Sequence, residues 1–176
     1  MNKLFHDVIN SKLSISVKKC NIITLKKSFT IANFYDIDNT IIFPIDGKLR
    51  YGKNKKTLEK NSALFISSHN TQSISFGSTR AKTLAYEDFI DKKPKYICEG
   101  LESNSNSRSE KFLIISIDVK AYDLINIFHG KYVGLDVFNS KNILMTLRSI
   151  SNELKNKSVG FNNVIDLMST KLVYEI

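Results

Sequence analysis

The first two thirds of the chain read as short apolar segments separated by turn signals, and this punctuation constrains the fold more than any other feature. Leu13, Ile15 and Val17 alternate with Lys12, Ser14, Ser16 and Lys18, the period-2 pattern of a half-buried strand. Ile22 to Leu25 and Phe29 to Phe34 are β-branched and aromatic runs, and Asp36 to Asn39 is a turn cluster. Thr40 to Ile45 then runs into Asp46-Gly47 and on to Lys48-Leu49-Arg50-Tyr51. An Asp-Gly pair between two such segments predicts a hairpin, because glycine accepts the positive φ of a tight turn. Pro44 has no N–H, which places it at a strand edge or a bulge.

A second turn, Gly52-Lys53-Asn54-Lys55, leads to Lys56-Thr57-Leu58-Glu59, and Lys60-Asn61-Ser62 turns into Ala63-Leu64-Phe65-Ile66. Ser67 to Thr71 reads as a loop, and Gln72 to Phe76 alternates again. Ala81 to Phe89 and Lys95 to Glu99 are weaker strand candidates. The polar run Ser103 to Ser109 has too little apolar area to offset its ordering entropy and is expected to be a mobile loop. Phe112 to Ile117 is continuously apolar, as a buried strand would be. Many short strands at this spacing suggest a sandwich or barrel.

The pattern changes at Asp118, a good helix N-cap. Tyr122, Ile125 and Phe128 share one helical face, with Gly130 as a stop. Ser140 caps a second expected helix, in which Ile143, Leu147, Ile150 and Leu154 form one stripe. Gly160 breaks it, and Phe161, Val164 or Ile165, Met168 and Leu172 mark a third. The last two form an αα-hairpin whose apolar faces pack on the barrel or on another chain.

A length of 176 residues, 42 % hydrophobic and 24 % charged, fits one domain, or one with a small appendage, and a core that needs no disulfide. Cys20 and Cys98 lie on separate segments and read as buried reduced thiols, with one inter-strand disulfide as the alternative. No run approaches the ~18 to 20 apolar residues of a membrane span, and Met1 to Ser11 lacks a signal-peptide core, so a cytoplasmic location is expected. The net charge of +9 favours polyanionic partners. Its lysines are spread in short clusters, however, which suits solvated turns better than a DNA-binding surface.

Chemistry-bearing constellations are few. His6, His69 and His129 are isolated, with no HxH, HxxxH or HExxH spacing, so no metal or other cofactor is predicted. His69 reads as a solvated loop residue or a ligand contact at the barrel mouth. Asp36 and Asp38 read as turn-formers. There is no glycine-rich phosphate loop and no GxSxG, so no catalytic residue is assigned.

The stretch from Phe43 to Tyr51 and then Lys56 to Ile66 resembles the N-terminal regulatory domain of AraC-family transcription regulators, most strongly at Gly47 and from Leu58 to Ile66. Phe112 to Asp118 is similar to the end of that family's barrel, and the C-terminal helices look like its dimerisation and linker segment. The low-glycine, Lys/Asn/Ile-rich style looks most like the virulence regulators of the ToxT and Rns type. The position where such domains often carry a histidine is Gln72 or nearby here. In that subgroup the resemblance implies a metal-free barrel that can take a fatty acid, with a lysine on a pre-turn strand near its carboxylate. By offset from Gly47 that position is Thr40, and Lys26 or Lys27 on an adjacent strand could substitute.

The expected fold is therefore mainly β with α: a cupin-like (jelly-roll) β-barrel over residues 1–117, then a helical linker and dimerisation region over 118–176. Inward candidates are Ile15, Val17, Ile31, Phe34, Ile42, Leu49, Leu64, Ile66 and Ile74, each a core residue or a ligand contact. For a small apolar effector such as a fatty acid, the expected contacts are Lys26, Ile31, Phe34, Thr40, Ile42, Leu49, Leu64 and Ile66. Ile143, Leu147, Ile150 and Leu154 are expected to face a partner in a homodimer, or to pack within the chain. The chain reads as the sensing part of a regulator of virulence genes, not an enzyme, with DNA bound through a separate helix-turn-helix domain that is not found before Ile176. One alternative is a stand-alone relative that antagonises a regulator by mixed dimerisation. The other is a metal-dependent cupin enzyme, which would need three convergent ligands.

Overall fold

The fold is that of a computed structural model describing residues 13–78, 80–100, 109–128 and 135–176. Its strands are β1 (Leu13–Leu25), β2 (Phe29–Phe34), β3 (Asn39–Asp46), β4 (Leu49–Tyr51), β5 (Lys56–Thr57), β6 (Ala63–Ile66), β7 (Gln72–Phe76) and β8 (Lys82–Leu84). Helix α1 (Tyr86–Tyr96) follows, then β9 (Ile97–Glu99), β10 (Lys111–Ala121), β11 (Ile125–Asn126) and β12 (Leu135–Phe138). Helices α2 (Lys141–Asn156) and α3 (Phe161–Glu175) close the chain.

The strands form two sheets. One runs β12-β6-β3-β10-β1-β9, with β11 on β10; the other runs β5-β4-β7-β2-β8. Pairing is antiparallel except between β2 and β8. The first sheet is covered on both faces at its centre, which explains why β3, β6 and the first half of β10 carry continuous apolar runs rather than alternating ones. In β3, Ile42 points to the second sheet, while Ile41 and Phe43 point to the helical pair. In β10, Phe112 takes the inter-sheet side, and Leu113, Ile115, Ile117 and Val119 the helical side. Pro44 sits at a register shift in the β3–β10 pairing, where its missing N–H is tolerated.

Three expectations are corrected. The Asp46-Gly47 turn does not join two paired strands: β3 lies in one sheet and β4 in the other. The turn carries the chain across the sandwich, and its glycine is required by contact as well as by dihedral. Gly47 has φ +139°, and a Cβ there would lie 2.8 Å from Phe112 Cζ and 2.9 Å from Glu110 Cβ. The segment 81–89 is only briefly a strand before α1 begins at Tyr86. Asp118 does not cap a helix. It lies inside β10, and Tyr122 and Asp123 beyond that strand have φ of +54° and +57°, which no α-helix admits. Gly130, His6, His129 and residues 103–108 of the polar run lie outside the described residues.

The C-terminal hairpin forms as the apolar periodicity indicates, with Lys157 in the left-handed region ending α2 and Gly160 preceding α3. Ile143, Leu147 and Ile150 are 4 %, 0 % and 0 % exposed, and Leu154 packs at their margin. This stripe faces the chain's own sheet, so the partner-facing assignment gives way to intrachain packing. No disulfide joins Cys20 and Cys98, and both are half-buried rather than fully buried as expected. Among the described residues no helix is long and apolar enough to cross a membrane.

Candidate functional site

The interior between the sheets opens into a cavity of about 100 Å³ roofed by α1. Its walls include Ile23, Phe29, Ile31, Phe34, Ile42, Phe76 and Ile114, with Tyr86, Phe89 and Ile90 from α1. Phe29 organises the aromatic part, stacking on Phe89 with centroids 4.9 Å apart and on Phe76 at 5.0 Å. The polar lining consists of Lys19, Asp36, Lys93 and Ser116.

A β-bulge places Lys19 there. Leu13, Ile15 and Val17 face the helical side, but the β1–β10 register shifts between Val17 and Lys19, after which Cys20 and Ile22 take that side. The inserted residue re-aims the strand, and Lys19 passes to the inter-sheet face with Ile23. Ile15 and Val17 are therefore corrected: they belong to the helical side.

Glu99 on β9 bridges the two lysines. Its carboxylate is 3.6 Å from Lys19 Nζ and accepts a short hydrogen bond from Lys93 Nζ. The Lys93 hydrogen bond is the main cause that holds the Glu99 carboxyl below its usual range. Burial, followed by the neighbouring Lys93 charge, lowers the Lys19 ammonium pKa. Asp36 anchors the remaining polar lining, accepting hydrogen bonds from Thr40 Oγ1 at 2.8 Å and Ser116 Oγ at 3.1 Å, and from the Asp38 N–H at 3.2 Å. Burial, and then the charges of Asp36 and Asp118, raise the Asp38 pKa.

Among the expected contacts, Ile31, Phe34 and Ile42 line this cavity. Leu49, Leu64, Ile66 and Ile74 are buried in the same inter-sheet core without lining it. Thr40 is fully buried and reaches the site through Asp36. Lys26 and Lys27 are exposed in the β1–β2 turn, where both N–H groups donate to the Tyr96 carbonyl, so the cations near the cavity are Lys19 and Lys93 instead. His69 is exposed with φ +60°, its Nδ1 3.0 Å from the Tyr35 hydroxyl.

Sequence reasoning missed Lys19, Lys93, Asp36, Tyr86 and Phe89. The available signals were the break in alternation at Lys18-Lys19 and the helical spacing of Tyr86, Phe89, Ile90 and Lys93. Acidic residues at the start of α1 (Glu87, Asp88) and basic ones at its end (Lys93, Lys95) also suit a helix dipole.

Chemically, the site is an apolar slot whose edge carries two ammonium groups bridged by Glu99, with Asp36 also in the lining, so an anionic head enters only by displacing Glu99. At ~30 Å³ per water, the space holds only about three waters and is smaller than the ~300–1,000 Å³ of typical ligand sites. A longer chain needs more room than this, and α1 is the cover with the fewest buried residues, Phe89 alone, besides the ring contacts of Tyr86 and Tyr96. Among the described residues no group of three or more His, Cys, Asp or Glu side chains could hold a metal ion.

No family model matches the chain, and no curated protein does. The solved structures similar to it include an apo ToxT variant from Vibrio cholerae, 12 % identical over 90 % of this chain and 53 % of that one, with TM-score 0.47. A second ToxT structure from the same organism gives 12 %, 90 % and 55 %, with TM-score 0.47. An unsaturated-fatty-acid-bound ToxT gives 13 %, 94 % and 56 %, with TM-score 0.43. The chain thus spans about half the length of these solved chains.

Proposed function

We propose that this chain is the effector-sensing and dimerisation domain of an AraC-type transcription regulator of virulence genes, acting in the cytoplasm without catalysis while a separate helix-turn-helix part reads DNA. The observation that carries the reading is the inter-sheet cavity, apolar in its walls and edged by Lys19 and Lys93. The resemblance of Phe43 to Ile66 to the AraC-family regulatory domain supports it.

In this reading the effector is a fatty acid or similar amphiphile. Its carboxylate takes the place of Glu99 beside Lys19 and Lys93, and its chain displaces α1 from Phe29. A ligand that binds the lifted state better shifts the population toward it, by no more than its differential affinity for the two states. Dimerisation then uses the outer surface of the helical pair, where Met145, Leu167 and Tyr174 are 54 %, 71 % and 59 % exposed.

Native mass spectrometry of the full chain with added oleate tests both parts. The expected spectrum shows dimers and one oleate per chain. A strict monomer at high concentration overturns the dimer, and failure to bind oleate overturns the effector assignment.

A further inference from the structure

We propose that a second site, the open groove between the Pro44–Lys48 turn and the Thr57–Ser62 segment, binds a polar small molecule through one oxyanion held by Arg50. Leu49 in β4 points into the inter-sheet core, so Arg50 projects from the opposite face of its sheet. Arg50 is 8 % exposed and lines the groove. Its Nη2 donates to the Ser78 carbonyl at 2.5 Å, while its buried Nε has no hydrogen-bond partner. None of the ion pairs among the described residues involves Arg50.

A guanidinium withdrawn from water is ordinarily paired, because an uncompensated buried charge is costly. Its planar fork matches the two oxygens of a carboxylate or a phosphate. An oxyanion in the groove supplies a partner that no carboxylate among the described residues provides.

The groove has about 660 Å³ of space, within the ~300–1,000 Å³ of small-molecule sites. Lys48 and Lys60 add positive charge to its lining, while Asp46 and Glu59 add negative charge. This mixture disfavours a polyanion. It suits one anionic group on a body whose hydroxyl or amino groups donate to the two carboxylates. Asn61, also in the lining, accepts a hydrogen bond from Arg148 Nη2 of α2 at 2.9 Å, joining the groove to the helical pair.

The Nε–Hε resonance of Arg50 in the ¹⁵N-labelled full chain tests the site. Inorganic phosphate and acetate are titrated separately, with chloride keeping ionic strength constant. The expected result is a saturable shift with at least one oxyanion, the tighter arm identifying phosphate or carboxylate chemistry, and no saturable shift with chloride. Arg50→Lys, which keeps the charge but loses the fork, is read through the amides of Gly47 and Ser78, whose saturable shifts should vanish. Exposed Lys60→Gln raises the half-saturating concentration several-fold, and it decides the matter should the Arg50 variant not fold. Shifts that merely track ionic strength, or that are the same in Lys60→Gln, overturn the proposal. Oleate binding is a separate reading, since neither residue lines the inter-sheet cavity.

Discussion

The two faces of the first sheet are built to different standards of packing. On the helical side, Leu147, Ile150 and Leu172 are fully buried against β-strand residues such as Leu113 and Ile115. On the inter-sheet side, buried aromatics such as Phe29 and Phe76 line a cavity whose roof is a single short helix with Phe89 as its one buried residue. A close-packed face resists change because each lost methylene leaves a void. A cavity enclosed between the sheets gives that face room to rearrange around a guest, whereas the spaces on the helical side, beside Leu154 and Phe161, lie at its margin. The difference assigns stability to the C-terminal helices and adaptability to α1.

Substitutions on the two sides sharpen or break that contrast. Leu147→Ala, at a fully buried site, is expected to cost about 2–5 kcal/mol in urea unfolding. Phe89→Leu, beside existing space, is expected to cost less, about 1 kcal/mol. Equal losses would make α1 as integral to the fold as the helical pair, and the contrast would fail. Gly47→Ala, at the crossing between the sheets, forces a Cβ against Phe112 at a positive φ. Its expected cost is about 1–3 kcal/mol by the same measurement.

Titration distinguishes the sides as well. Burial, followed by the charge of Asp166, pushes the Cys20 thiol up to about 12 from 9.0. The folded state therefore keeps its proton where the unfolded chain loses it. The associated stability is fully present below pH 9 and is lost as pH rises toward 12, at up to ~1.4 kcal/mol per pH unit. Cys20→Ala is expected to flatten this slope in denaturation series across that window, and an unchanged slope would show that Cys20 is not its source. The smallest expected stability effect is at the cavity rim. Lys19→Gln should change stability by no more than ~0.5 kcal/mol, yet it should weaken oleate binding measured by calorimetry. Unaltered binding would remove Lys19 from the site.

Legibility followed the same division. The α2 stripe was readable because a helix packed on one side repeats its apolar residues every 3.6 positions. Ile31, Phe34 and Ile42 were readable as inward candidates from their apolar runs alone, since a register shift separates Ile31 from Phe34 and Ile42 lies in an unbroken buried run. Helix α1 was not: its Tyr86, Phe89, Ile90 and Lys93 spacing spans only two turns, and Pro94 lies in its last turn. Lys19 was hidden by a bulge that reverses which residues face inward, and Lys26 looked equivalent to it in sequence. The Asp46-Gly47 pair announced a turn, but a turn motif does not say whether the strands it joins will pair.

By itself, the sequence determined the strand-rich body, the turn at Gly47 and the C-terminal helical pair, since each depends on residues close together along the chain. Only the tertiary structure decided that β3 and β4 lie in different sheets, that the α2 stripe is consumed within the chain, and that Lys19, Lys93 and Glu99 meet beside a cavity. Those outcomes depend on contacts between distant segments, and local periodicity carries no information about which distant segment will supply the partner.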